Sequence, residues 1–127
     1  MTTMFRIAYS NGGFSPAVEY VPAQAAIALG QALVYASGKV SVCGATAAPE
    51  FIAVEKYAGG AEKSVAVIRV TEDVAFEVPC TEATGALKPG DKVTISEDGL
   101  QVTATTENGV FTVDKVLDSG LIGFFRR

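Results

Sequence analysis

Apolar and polar positions alternate along much of this chain with a period of two, in short runs. Leu100-Gln101-Val102-Thr103-Ala104-Thr105 alternates strictly, and Val74, Phe76 and Val78 share one side of Val74–Val78. Period two sends successive side chains to opposite faces, so these runs read as strands. Val65-Ala66-Val67-Ile68-Arg69-Val70 is apolar at both parities, the pattern of a strand buried on two faces. Further strands are expected over Ala32–Ala36, Lys39–Cys43, Phe51–Tyr57, Asp91–Ser96, Val110–Val113 and Leu121–Phe125.

Turn signals punctuate these runs. Ser37-Gly38 separates two strands, and Thr71-Glu72-Asp73 makes a tight connection before Val74. In Leu87-Lys88-Pro89-Gly90-Asp91, Pro presets the second turn position and Gly supplies the positive φ of the third. Asp98-Gly99 and Asn108-Gly109 carry the dipeptides that favour type I′ hairpins. Pro22 and Gly30 bracket an Ala-rich run that reads equally as a two-turn helix or an irregular connection. Strands at spacings near ten residues point to a small, single-domain β-barrel or sandwich of short antiparallel strands.

Composition agrees with this all-β reading. The chain has 19 Ala, 16 Val and 6 Ile against 6 Leu, and β-branched residues fit a pleated surface. With 127 residues it is long enough for one core without metal or disulfide support. Cys43 and Cys80 stand far apart without a CxxC pattern, and read as buried reduced thiols in a cytoplasm, with a disulfide only if the fold brings them together. The N-terminus lacks the basic and apolar regions of a signal peptide, and no run approaches the ~20 apolar residues of a membrane span.

Charge narrows the function further. A net charge of −4 argues against a nucleic-acid partner held through phosphates. The absence of His removes Ser-His and Cys-His nucleophile pairs and the usual zinc sites. No GxxxxGK[ST] or GxGxxG loop is present, so nothing calls for a nucleotide cofactor. Asp91, Glu97 and Asp98 flank one hairpin but match no metal-binding spacing. The expectation is a non-enzymatic protein without cofactor or metal.

The first 49 residues carry only Arg6, Glu19 and Lys39, whereas the other 78 carry 21 charges. Phe5, Tyr9, Phe14 and Tyr20 fall in the first 20 residues, around Ser10-Asn11-Gly12-Gly13. Such a segment is either a first strand completing the core or an extended arm that buries its aromatics on another chain. The organisation adopted is an N-terminal arm over 1–22 and a barrel domain over 23–127.

Residues 30–125 resemble the small β-barrel capsid decoration (cement) proteins of tailed bacteriophages. Gly30-Gln31-Ala32-Leu33-Val34 through Gly38-Lys39-Val40 is similar to that family's early hairpin, and Phe51-Ile52-Ala53-Val54 to its next strand. Val65–Val70 and Val74–Val78 resemble the central pair, and Leu87-Lys88-Pro89-Gly90-Asp91-Lys92-Val93 the Gly-Asp-x-Val turn and strand. Leu100–Thr105, Gly109–Val113 and Leu121–Phe125 complete the series. The arm is longer and more aromatic than in the simplest members.

The resemblance implies a virion protein made in the bacterial host cytoplasm. It would bind the major capsid protein on the outside of an assembled shell, often as a trimer, with no catalytic residues and no membrane partner. A shell-binding protein needs apolar surface that becomes buried on association. The candidates for capsid or subunit contact are Phe5, Ile7, Tyr9, Phe14 and Tyr20. Two alternatives stand beside this one. Tyr9, Tyr20, Tyr35 or Tyr57 would serve a small-ligand or carbohydrate-binding module, and carboxylates near Asp91 and Asp98 an enzyme of another type.

Overall fold

The computed structural model describes residues 4–11, 16–23, 25–59 and 63–125. Among these residues ten strands run in chain order: β1 (Arg6–Ser10), β2 (Val18–Ala23), β3 (Ala32–Ala36), β4 (Lys39–Val42), β5 (Phe51–Ala53), β6 (Lys63–Arg69), β7 (Val74–Pro79), β8 (Lys92–Val93), β9 (Phe111–Val116) and β10 (Gly120–Phe124). No helix occurs among the described residues, and the all-β expectation holds. The strands divide into an open antiparallel sheet, β1-β7-β10-β9-β8, and a closed barrel, β2-β4-β3-β5-β6. The barrel is closed by one parallel pairing, Ala23 with Val40, and its other pairings are antiparallel.

Two cores follow from this division. Val21, Leu33, Phe51, Val65 and Val67 fill the barrel, which at five strands has room only for side chains. The second core lies where the barrel wall meets the open sheet, and joins Ile52 and Ile68 to Phe76, Val78, Val93, Phe111 and Leu121. At its centre the Phe5, Phe76, Phe111 and Phe125 rings contact one another with centroids 5.0–6.4 Å apart. This explains the unbroken apolar run of β6. Val65 and Val67 point into the barrel, while Ile68, of opposite parity, points to the sheet.

The described part of the N-terminal segment, residues 4–11 and 16–22, pairs into the sheets and is not an extended arm. β1 pairs with β7 from Arg6–Glu77 to Ser10–Val74, and β2 pairs with β6 along its whole length. Phe5 is 2% exposed at the centre of the aromatic cluster. The segment completes both sheets because Phe5, Val21 and Ala23 gain more from burial within the chain than they would on an exposed extension. A boundary at residue 22 therefore cuts through β2.

Smaller differences have local causes. Residues 25–29 form an irregular connection, in which Ile27 is drawn into the barrel by paired hydrogen bonds with Tyr57 of 2.8 and 2.9 Å. So short a run cannot nucleate a helix against that gain. The strand expected over 51–57 stops at Ala53, and that over 91–96 is reduced to Lys92–Val93. Residues 94–105 keep hairpin bonds, Ser96 N to Gln101 O at 2.9 Å and Thr103 N to Thr94 O at 2.9 Å, without a regular ladder. Of the two dipeptides expected to make type I′ turns, each has one positive φ, at Gly99 and at Asn108. The turn with two positive φ values, as type I′ requires, is Ser37-Gly38 at +53° and +80°.

Candidate docking face

Along β2, Val21 and Ala23 point into the barrel, and Val18, Tyr20 and Pro22 therefore point outward. Cross-strand partners share a face, so two rows of side chains can be followed across the outer barrel wall. One row runs Ile52, Ile68, Val18, with exposures of 2%, 4% and 54%. The next runs from Val54, whose amide bonds the Ala66 carbonyl, through Ala66 to Tyr20, with exposures of 36%, 6% and 70%. The apolar layer that the open sheet covers over Ile52 and Ile68 continues beyond the sheet with no cover among the described residues.

β1 is the edge strand at this margin. Its Ile7, 40% exposed, overhangs a shallow groove of about 230 Å³ shared with Met4, Leu29, Ile52, Val54 and Ile68. Among the described residues, five of the seven large exposed apolar side chains thus gather on one face: Ile7, Val18, Tyr20, Leu29 and Val54. Single exposed apolar residues are ordinary, whereas a contiguous group of this kind is a candidate surface for association.

Both arginines near this face are ion-paired. Arg6 Nη2 lies 2.9 Å from Glu77 Oε2 on the other side of β1. At the barrel mouth Arg69 donates to both carboxylate oxygens of Glu19, at 2.9 and 3.1 Å, with its guanidinium 5.0 Å from the Phe51 ring centre. These hydrogen bonds lower the Glu19 pKa, and the same carboxylate raises that of Arg69. Among the described residues the face is therefore largely apolar, and the carboxylate beside it, that of Glu55, accepts from Ala66 N at 2.9 Å.

The structure separates the five candidate contact residues. Ile7 and Tyr20 belong to the face. Phe5 does not, because it is buried in the core and presents no surface to a partner. Tyr9 lies on the opposite side of the open sheet, since a β-bulge between Ile7 and Tyr9 reverses the alternation. There its hydroxyl donates to Asp114 Oδ2 at 2.5 Å and its ring meets Phe124 edge-on at 5.9 Å. Phe14 lies outside the described residues. Val18, Leu29 and Val54 were missed. For Val18 the signal was present, because Val18-Glu19-Tyr20-Val21-Pro22-Ala23 is apolar at nearly every position, as β6 is.

The alternatives find less support in the geometry. The four tyrosines make no common platform: Tyr35 packs edge-on against Phe51 at the barrel mouth, and the Tyr57 hydroxyl donates to Ala23 O at 3.4 Å. Asp91 and Asp98 each serve their own turns, accepting from Lys88 N at 2.9 Å and Leu100 N at 3.0 Å. Among the described residues no group of three potential metal ligands occurs. Cys43 is buried and donates to Ala47 O at 3.2 Å; desolvation, aided by the Glu50 charge, pushes its pKa up to about 11. Cys80 is also a free thiol and is half-buried.

No known family model matches the chain, and no curated protein matches its sequence. Its fold is similar to that of the head fiber gp8.5 N base of bacteriophage phi29, seen in a crystal structure. The match has a TM-score of 0.61 at 16% identity, over 87% of this chain and 95% of the other. The likeness concerns the fold alone, a five-stranded open sheet packed on a closed five-stranded barrel.

Proposed function

We propose that this chain is a non-enzymatic virion structural protein that binds the outside of an assembled phage capsid and stabilises it. The observation that carries the reading is the apolar wall running from buried Ile52 and Ile68 to exposed Val18 and Tyr20. Such a wall favours contact with another folded surface. The fold shared with a phage head-fiber base supports a virion context for that contact. The partners are the major capsid protein and further copies of the chain, with a trimer favoured.

Covering a large aliphatic or aromatic side chain fully is worth about 1.5–3 kcal/mol, so half-exposed groups such as Val18 and Ile7 offer less each. One such contact is weak, but repetition over a symmetric shell and linkage within an oligomer give firm attachment. Mixing the purified chain with undecorated capsids of its phage tests the reading. Co-sedimentation together with greater capsid resistance to heat is the expected result. Failure to co-sediment at every salt concentration would contradict it.

A further inference from the structure

We infer that Asn108 is a site of spontaneous deamidation, and that its conversion to isoaspartate loosens the edge of the open sheet. Asn108 is exposed, with φ +58°, in the loop between β8 and β9. Among the described residues, no hydrogen bond engages its carboxamide or the amide of Gly109. Gly109 also lines a water-accessible cleft beside Glu72, Lys92 and Phe125. The nucleophile and its target are thus adjacent, free of hydrogen bonds and beside the solvent-filled cleft, and Gly109 has no side chain to obstruct their approach.

The Gly109 nitrogen, after loss of its proton, attacks Cγ of Asn108. A carbon–nitrogen bond forms, ammonia leaves with the side-chain nitrogen, and a succinimide closes. Water then opens the ring at either carbonyl. One product is aspartate; the other is isoaspartate, with the main chain rerouted through the former side chain and one methylene longer.

That extra length falls where the backbone has no slack. A Cβ placed on Gly109 would overlap the carbonyl carbon and oxygen of Lys92, so the two backbones are in close contact. The next residue, Val110, donates to Val93 O at 2.9 Å. β8 consists of Lys92 and Val93 alone, and Val93 is fully buried. A displaced Gly109 therefore acts on the shortest strand of the sheet and on a core side chain. This inference does not depend on the capsid reading.

The full chain would be incubated in warm, mildly alkaline buffer and mapped by peptide mass spectrometry, with isoaspartyl methyltransferase labelling. The expected result is conversion and methyl labelling of the Asn108 peptide, isoaspartate exceeding aspartate, and a lower melting temperature in the converted fraction. Asn108→Gly, which accepts the positive φ, should fold and lose the labelling there. An Asn108 peptide that stays unconverted while a denatured sample converts would overturn the site. Conversion without a fall in melting temperature would overturn its structural effect.

Discussion

Val18 and Ile68 face each other across the β2–β6 ladder, yet Val18 is 54% exposed and Ile68 is 4% exposed. Adjacent positions in one apolar row differ because the open sheet covers the barrel wall only up to its edge strand β1. The surface beyond that edge has core composition without a core's cover. This relationship separates residues that hold the fold from residues available to a partner.

Replacing Tyr20 with Asp should leave the free chain's stability within about 0.5 kcal/mol, because the side chain is mostly in water. Capsid co-sedimentation should fall sharply. Phe5→Ala should instead cost about 3–5 kcal/mol of stability through lost packing in the ring cluster. Denaturant melts of both variants, run beside the sedimentation assay, separate the two roles.

Gly90 has φ +97°, and a Cβ there would meet nothing within 4 Å, so backbone conformation alone opposes substitution. Gly90→Val should cost about 1–2 kcal/mol, the order of the penalty for a left-handed L-residue. Thermal unfolding measures it, and an unchanged melting temperature would show that the turn can re-form without the positive φ.

The Arg69 hydrogen bonds hold the Glu19 carboxyl below its ordinary range. Folding therefore gains from this pair when both folded and unfolded carboxyls are ionised. The gain is lost as pH falls from the ordinary glutamate pKa of 4.5 through the lowered folded value. Glu19→Gln should be less stable than the parent near neutrality, and the difference should shrink on acidification. The pair is exposed, so the effect is small.

With its pKa raised to about 11 and its side chain buried, Cys43 should resist iodoacetamide at neutral pH. Cys80 is partly accessible and should react first. Mass spectrometry of the native chain should show one rapid adduct, and a second after denaturation.

Much of the fold was legible because its determinants are local. The hairpin at Ser37-Gly38, the Pro89-Gly90 turn and the strands at β6, β7 and β10 follow from turn chemistry and period two. The N-terminal segment was ambiguous, since apolar aromatics suit a core strand and an arm alike, and its pairing with β7 and β6 is non-local. Ile7 and Tyr20 were legible as contact candidates. Tyr9 was misdirected by the bulge at Ala8, which alternation along the sequence does not reveal. Leu29 and Val54 sit in irregular segments, and only the packed fold brings them beside Ile7.

The central claim is that the wall carrying Val18 and Tyr20 is covered in the assembled particle. A cryo-EM reconstruction of the decorated capsid tests it most directly. Val18, Tyr20 and Ile7 are expected to contact the major capsid protein or a second copy of the chain. A particle in which this chain is bound while that face remains open to solvent would contradict it.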